Sequence, residues 1–432
     1  MKNRICSLIL VLLLITSTST LVVSSYNEKT NNQLFLSEFS IVDMIGQVDQ
    51  QLVFYYHDKL MRYGVRYTGT VNATLASNYI YEEFESMGLE VSFHDWTFAA
   101  YECKNVVATQ PGTDPDSNAI FVLCAHYDTV PGSIGANDDG SGVAAVLTAA
   151  KILSQYTFNH TLRFIAFSGE EVGTYGSYSY AKDSYRNGDN IIAVFNADMI
   201  GYANSTKGGE IIRFFQPDRS SWMADYASTI AKKYIEFINL TVEKLPNYIG
   251  ADHQAFIDYG YDGSWIAHYD SYPYGHTSED TADKINWTYQ VKATRLLLAI
   301  MAEILQKPIN VQIRLTSPHH GYGYLFNQPI IPLDLGHLWY KQLRGITIVL
   351  GRATATAEVY SNEEIDYVIF CINNHFMYFD REPPYEWKIQ GKHYPPFGRI
   401  KLQVYAYTTN GNIAFDEMDV IVFTLSSQHG RW

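Results

Sequence analysis

Residues 162–173 read LRFIAFSGEEVG. A short apolar run, interrupted only by Arg163, is closed by Ser168-Gly169 and followed at once by two carboxylates, Glu170 and Glu171. The run predicts a buried strand. Neighbouring side chains on a strand point to opposite faces. Two adjacent acids can therefore serve one site only if the strand ends before them, and Gly169 predicts that end. Which of the two glutamates would take which task is open from the residues alone.

Working outward, the same grammar recurs. AIFVLCAHYD (119–128), IIAVFNADMIG (191–201) and SWIAHY (264–269) are further apolar strand-like runs, and LEVSFHDWTF and CKNVVATQ precede them. Between them lie helical patterns: residues 44–64, NATLASNYIYEEFESMG ended by Gly88, the small-residue stretch SGVAAVLTAAKILSQY, YGSYSYAKDS, DYASTIAKKYIEFI and WTYQVKATRLLLAIMAEILQ. This alternation predicts an α/β domain over residues 40–306, with a mostly parallel central sheet flanked by helices. After Pro308 no amphipathic helix is evident. INVQIRLTSP, TIVLGRATATAEVY, IDYVIFCINN, YEWKI, RIKLQVYAYTT and DVIVFTL read as strands, and Asn410-Gly411 as a hairpin turn. An all-β, antiparallel sandwich over residues 308–427 follows.

In open α/β sheets, sites form beyond the carboxyl ends of the strands. His126 and Asp128, Asp138 and Asp139 in GANDDGSG, Glu170 and Glu171, Asp198, and His276 and Asp280 in YGHTSEDT all fall there. Singly, each has a plain structural reading: His126 as a strand-end histidine, Asp138 or Asp139 as a helix cap, Asp198 in a turn. Together they exceed what packing needs. Imidazoles with several carboxylates form a ligand set for a divalent ion such as zinc, and there are more of them than one four-coordinate ion requires. Two ions sharing a carboxylate would use them all.

Composition narrows the rest. The chain has 432 residues, 34 of them Tyr, and a formal charge of −14, which gives no electrostatic reason to bind nucleic acid. Residues 1–25 carry Lys2, Arg4, an apolar stretch and small residues up to Ser25, the pattern of a signal peptide. The mature chain is then expected to be secreted and not membrane-spanning. Cys103, Cys124 and Cys371 remain, an odd number; whether Cys103 and Cys124 bridge is open.

The ordered motifs AHYD, GANDDGSG, GEE, NADMIG and GHTSEDT resemble those of the zinc aminopeptidases of peptidase family M28, over roughly residues 40–306. The resemblance implies two zinc ions and a hydroxide bridging them. His126 and Asp198 would hold one ion, Glu171 and His276 the other, and Asp138 would bridge. Asp128 would orient His126, Glu170 would be the general base and acid, and Asp139 and Asp280 would lie in outer support. His268 competes with His276 but matches the motif less well. In ADHQAF, Ala251 stands where the family often has serine, and Asp252 and His253 are expected to be structural or pocket-lining. The resemblance implies hydrolysis of N-terminal residues from peptides. Alternatives on the same fold are a carboxypeptidase or dipeptidase, a glutaminyl-cyclase-like aminoacyl transferase, or a non-catalytic surface-binding protein. PPYEWKI and AYTTNGNIAFDE resemble immunoglobulin-like modules of exported enzymes, which makes the β-rich part a candidate for binding a cell surface or a partner, or for capping the catalytic part. His319 and His320 are expected in a solvated turn.

Overall fold

The computed structural model describes residues 41–333, 345–389 and 397–423. The leader reading on residues 1–25 lies outside them. The described part of a first unit, residues 41–47, is helical, and the second unit starts at Val48.

An eight-stranded sheet organises the first part of that second unit. It contains β1 (Glu90–Phe98), β2 (Tyr101–Gln110), β3 (Ile120–His126), β4 (Thr161–Phe167), β5 (Ile191–Ala197), β6 (Ile211–Gln216), β7 (Thr241–Pro246) and β8 (Asp262–His268). Their order is β1-β2-β4-β3-β5-β8-β6-β7. The centre, β4-β3-β5-β8, is parallel. Antiparallel pairing enters at the β2–β4 and β8–β6 joints. All seven residues of β3 are buried, as a strand covered on both faces requires. The short strands β6 and β7 and the helix His253–Asp258 are additions to the sequence reading.

Helices cover both faces. Gln50–Met61, Gly140–Leu153 and Trp287–Ile304 pack against one another on one side. In Gly140–Leu153 every residue but Lys151 is buried. Its small residues allow this: a Cβ on Gly142 would sit 1.9 Å from the Ala197 carbonyl oxygen. On the other face Tyr178, Tyr180 and Ala181 of helix Tyr175–Asn187 join Ala255, Phe256, Tyr259 and Tyr261 in a core over β3, β4 and β5. Both Gly140–Leu153 and Tyr175–Asn187 begin beside the strand ends that carry the acids.

The remaining strands form a seven-stranded and a three-stranded sheet around a shared core that includes Leu315, Val349, Phe370, Leu402, Val404 and Val420. TIVLGRATATAEVY is not one strand. It divides into Thr347–Leu350 in the larger sheet and Ala353–Ser361 in the smaller, with Gly351 between them. The part is not antiparallel throughout as expected: Thr347–Leu350 pairs in parallel with its neighbours on both sides, whereas the long hairpin through Gly411 is antiparallel.

Polar and aromatic contacts fasten this β-rich part to the α/β part. The largely enclosed Arg219 guanidinium, 13% exposed, donates to Asp262 Oδ1 (3.0 Å), the Gly260 carbonyl (2.8 Å) and the Glu417 carbonyl (2.9 Å), and lies 3.3 Å from Asp416 Oδ1. Arg314 stacks over Tyr185 and Tyr261. His320 is not in a solvated turn: it is 5% exposed, its amide donates to Tyr185 Oη at 3.1 Å, and its ring meets Tyr185 edge-on. Partners more than a hundred residues upstream bury it. Cys103, Cys124 and Cys371 are all unbridged; Cys124 lies inside β3, while Cys103 Sγ accepts the Gly69 amide.

Candidate metal centre

The strand ends converge. His126 closes β3 and is 1% exposed. Its Nε2 lies 3.2 Å from Asp138 Oδ1 and 3.8 Å from Asp198 Oδ1. His276 Nε2 lies 3.1 Å from Asp138 Oδ2 and 3.1 Å from Glu171 Oε2. Asp138 therefore turns one carboxylate oxygen to each histidine. All five residues that the sequence motifs single out as metal ligands are gathered here.

Asp128 stands beside the His126 ring, next to Nδ1. His126 Nδ1 is 3.2 Å from the Asp128 main-chain carbonyl, while the carboxylate is 3.7 Å away. That carboxylate is a hub. It accepts the amides of Glu170 (3.2 Å) and Glu171 (3.3 Å) and the Thr68 hydroxyl (2.7 Å). The two adjacent glutamates thus enter one site through a turn whose consecutive amides share an acceptor. Gly169 makes the turn, with φ of 76° and Trp96 packed where a Cβ would stand. The Trp96 indole donates to Ser168 Oγ.

Asp139 lies near His126 and Asp198 as well. Its oxygens, however, are occupied by main-chain amides: Oδ1 by Gly142 (2.8 Å) and Met199 (3.1 Å), Oδ2 by His126 (3.3 Å). It caps helix Gly140–Leu153 and ties three loops together. Asp280 accepts the amides of Asn137 (2.8 Å) and Asp138 (3.1 Å) and the Tyr272 hydroxyl. His268 stands apart from the cluster, bonded to Asn137 Nδ2 at 3.1 Å. His253 also stands apart, its Nε2 donating to the Asn247 side-chain oxygen at 2.9 Å. Thr174, Met199 and His276, each beside or within the cluster, adopt left-handed backbone angles unusual for residues other than glycine.

The electrostatics call for a cation. Burial raises the Glu170, Glu171, Asp198 and Asp139 carboxyls above their ordinary range. Burial alone would lower His126, but the carboxylates of Asp128, Asp138 and Asp198 carry it well above the histidine range. Bonds to Asp138 and Glu171 lift His276 to about 11. Against burial, hydrogen bonds to His126 and His276 lower Asp138 instead, and a divalent cation among these donors would offset the crowding of the other carboxylates. Imidazole and carboxylate donors suit zinc, and separations near those observed are expected, since tetrahedral bonds of about 2.0–2.1 Å place donors about 3.3 Å apart.

Sequence reasoning missed Thr68, Arg66 and His57. None lies in a motif. Their partners are a carboxylate and main-chain carbonyls some sixty or more residues away, which no local pattern reveals.

Residues 105–301 match the model of peptidase family M28. A probable leucine aminopeptidase of Arthroderma otae is 24% identical over 263 residues, covering 57% of this chain and 69% of that protein. Among solved structures, LapB from Legionella pneumophila superposes with a TM-score of 0.57 at 24% identity, over 62% of this chain and 75% of its own. BSAP, a zinc aminopeptidase from Bacillus subtilis, superposes with a TM-score of 0.54 at 18% identity, over 60% and 96%. At these identities the structures speak for the fold, while the matched family model speaks for descent. The α/β part of this chain belongs to peptidase family M28.

Proposed function

We propose that this chain is an exported zinc aminopeptidase that removes N-terminal residues from peptides, with two ions sharing Asp138. The observation that carries the reading is the split of Asp138, one oxygen toward His126 and the other toward His276. His126 with Asp198 forms one half-site, and His276 with Glu171 the other. Zinc would supply Lewis acidity toward the scissile carbonyl and a water of lowered pKa.

The protein's own groups do the rest. Glu170 is the general base and acid. Burial holds its carboxyl well above the ordinary range, with Asp252, Asp198 and Glu171 adding to the rise against the opposing charge of His126. A carboxyl so placed takes a proton from the attacking water and returns it to the leaving amine. Asp128 keeps Glu170 and Glu171 in register through their amides. Asp139 and Asp280 hold the Asp138 segment between them. The leader pattern at residues 1–25 supports export, and binding of a cell surface or partner by the β-rich part belongs to the same proposal.

The test is hydrolysis of aminoacyl chromogenic amides with a free or an acetylated α-amine, before and after chelation and zinc restoration. Cleavage confined to the free-amine set, lost on chelation and regained with zinc, is expected. Metal-loaded protein that cleaves neither set would overturn the reading.

A further inference from the structure

Arg66 lies upstream of the matched residues 105–301 and is fully buried. A guanidinium in such a place normally meets a carboxylate. Here every side-chain hydrogen bond of Arg66 among the described residues goes to a main-chain carbonyl. Nε donates to Tyr127 (2.7 Å), Nη1 to Ile134 (2.7 Å) and Gly64 (3.1 Å), and Nη2 to Gly135 (3.3 Å). Tyr127 follows His126 directly, and Ile134 and Gly135 lie just before Asp138. One rigid fork thus grips both ends of the loop that separates two candidate ligands.

Nearby contacts extend the grip. The Arg66 amide donates to Thr129 Oγ1 within the same loop (3.0 Å). His57 Nε2 donates to the next carbonyl, Ala136 (2.8 Å), and the Ala136 amide donates to the Asp280 carbonyl (3.3 Å). From residue 134 to 138 the chain is held at each peptide by other groups of the protein.

We infer that Arg66 is a positioning residue of the metal centre: by clamping the carbonyls of Tyr127, Ile134 and Gly135 together it sets the separation of His126 and Asp138. The role depends on the planar five-donor fork, not on charge, because the bonds diverge to several acceptors. A lysine keeps the charge but meets these carbonyls from a single point. The inference rests on the proposed zinc-peptidase reading for its consequence, though not for its geometry.

The experiment compares the full chain with Arg66→Lys and Arg66→Met. Zinc affinity is read by competition with a fluorescent chelator, and site geometry by the visible absorption of the cobalt-substituted protein. Both variants are expected to lose about 10–100-fold in zinc affinity, the range for removal of an outer support, and to shift the cobalt spectrum alike. Wild-type affinity and spectrum in either variant would overturn the inference, and so would rescue by lysine. Hydrogen exchange on chelated wild-type protein decides the matter even if the variants fail to fold. The Arg66 Nε proton, which the Tyr127 carbonyl accepts, is expected to stay protected without metal, and rapid exchange of that proton would refute a preset clamp. Wild-type protein that binds no zinc would instead sink the proposed function, and exchange would still judge the clamp.

Discussion

The Asp280 carboxylate receives the main-chain amide of Asp138 at 3.1 Å. Its other oxygen takes the amide of Asn137, so both oxygens are committed to donors. Asp280→Asn would turn an NH2 group toward one of those amides. A fall in zinc affinity of about 10–100-fold is expected, measured against a competing chelator. Unaltered affinity would show that the Asp138 segment holds itself.

In the proposed two-ion arrangement Asp138 serves both half-sites, whereas His276 serves one, and its side chain is 61% exposed. Asp138→Asn is therefore expected to lose both ions, and His276→Ala to keep close to one per chain. Metal content after gel filtration checks this. Equal losses from the two variants would argue against a shared carboxylate.

Glu170 is given the proton transfers and no ion. Glu170→Gln is expected to lower kcat by about 100- to 10,000-fold, with KM and metal content little changed. A variant that loses zinc in step with activity would move the base role elsewhere, Glu171 being the nearest candidate.

Four buried histidines fix a pH dependence. Burial lowers His57 and His268 to about 4 and His253 and His320 to about 3, from 6.5. The folded-state values are depressed, so below pH 6.5 the unfolded chain takes up protons that the folded chain refuses. Stability falls as pH drops from 6.5 toward 3, each such histidine contributing up to about 1.4 kcal/mol per pH unit. His320 is backed by Arg219 and Arg314, which also oppose its charging. His320→Gln should flatten the dependence measured by urea unfolding between about pH 7 and 4, the window in which these rings titrate. An unchanged slope would remove His320 from the account.

Arg219 links the two parts through Asp262 and Asp416. Arg219→Met leaves those acids without their cation, and a loss of about 3–5 kcal/mol is expected from breaking a buried pair on one side. Calorimetry checks it, since a change within the error of the wild-type scan would mean that water replaces the guanidinium.

Much of this was legible in the chain. β3, β4 and β5 are covered on both faces, so they appear as nearly continuous apolar strings, and the acids stand out because they follow those strings. β6 and β7 were harder: IIRFFQ buries every second residue, and the edge strand TVEKLP buries none fully, so neither makes a string. TIVLGRATATAEVY reads as one strand because the step between sheets at Gly351 leaves its apolar content unchanged. The five motif residues were visible as types. The hub at Asp128, the clamp at Arg66 and the burial of His320 were not, because each depends on a main-chain atom or a ring that only the fold brings near.

The seam between the two parts bears on how such a chain can be inherited. Arg219 and Asp262 stand on one side of it, Asp416 and the Glu417 carbonyl on the other, and Tyr185 closes over His320 across it. A lineage could not exchange the C-terminal part for an unrelated one, as beads on a tether are exchanged, without stranding a guanidinium and baring buried tyrosine rings to water. The two parts are bound to mutate in concert, and a substitution tolerated on one side of the seam should be found alongside its answering change on the other.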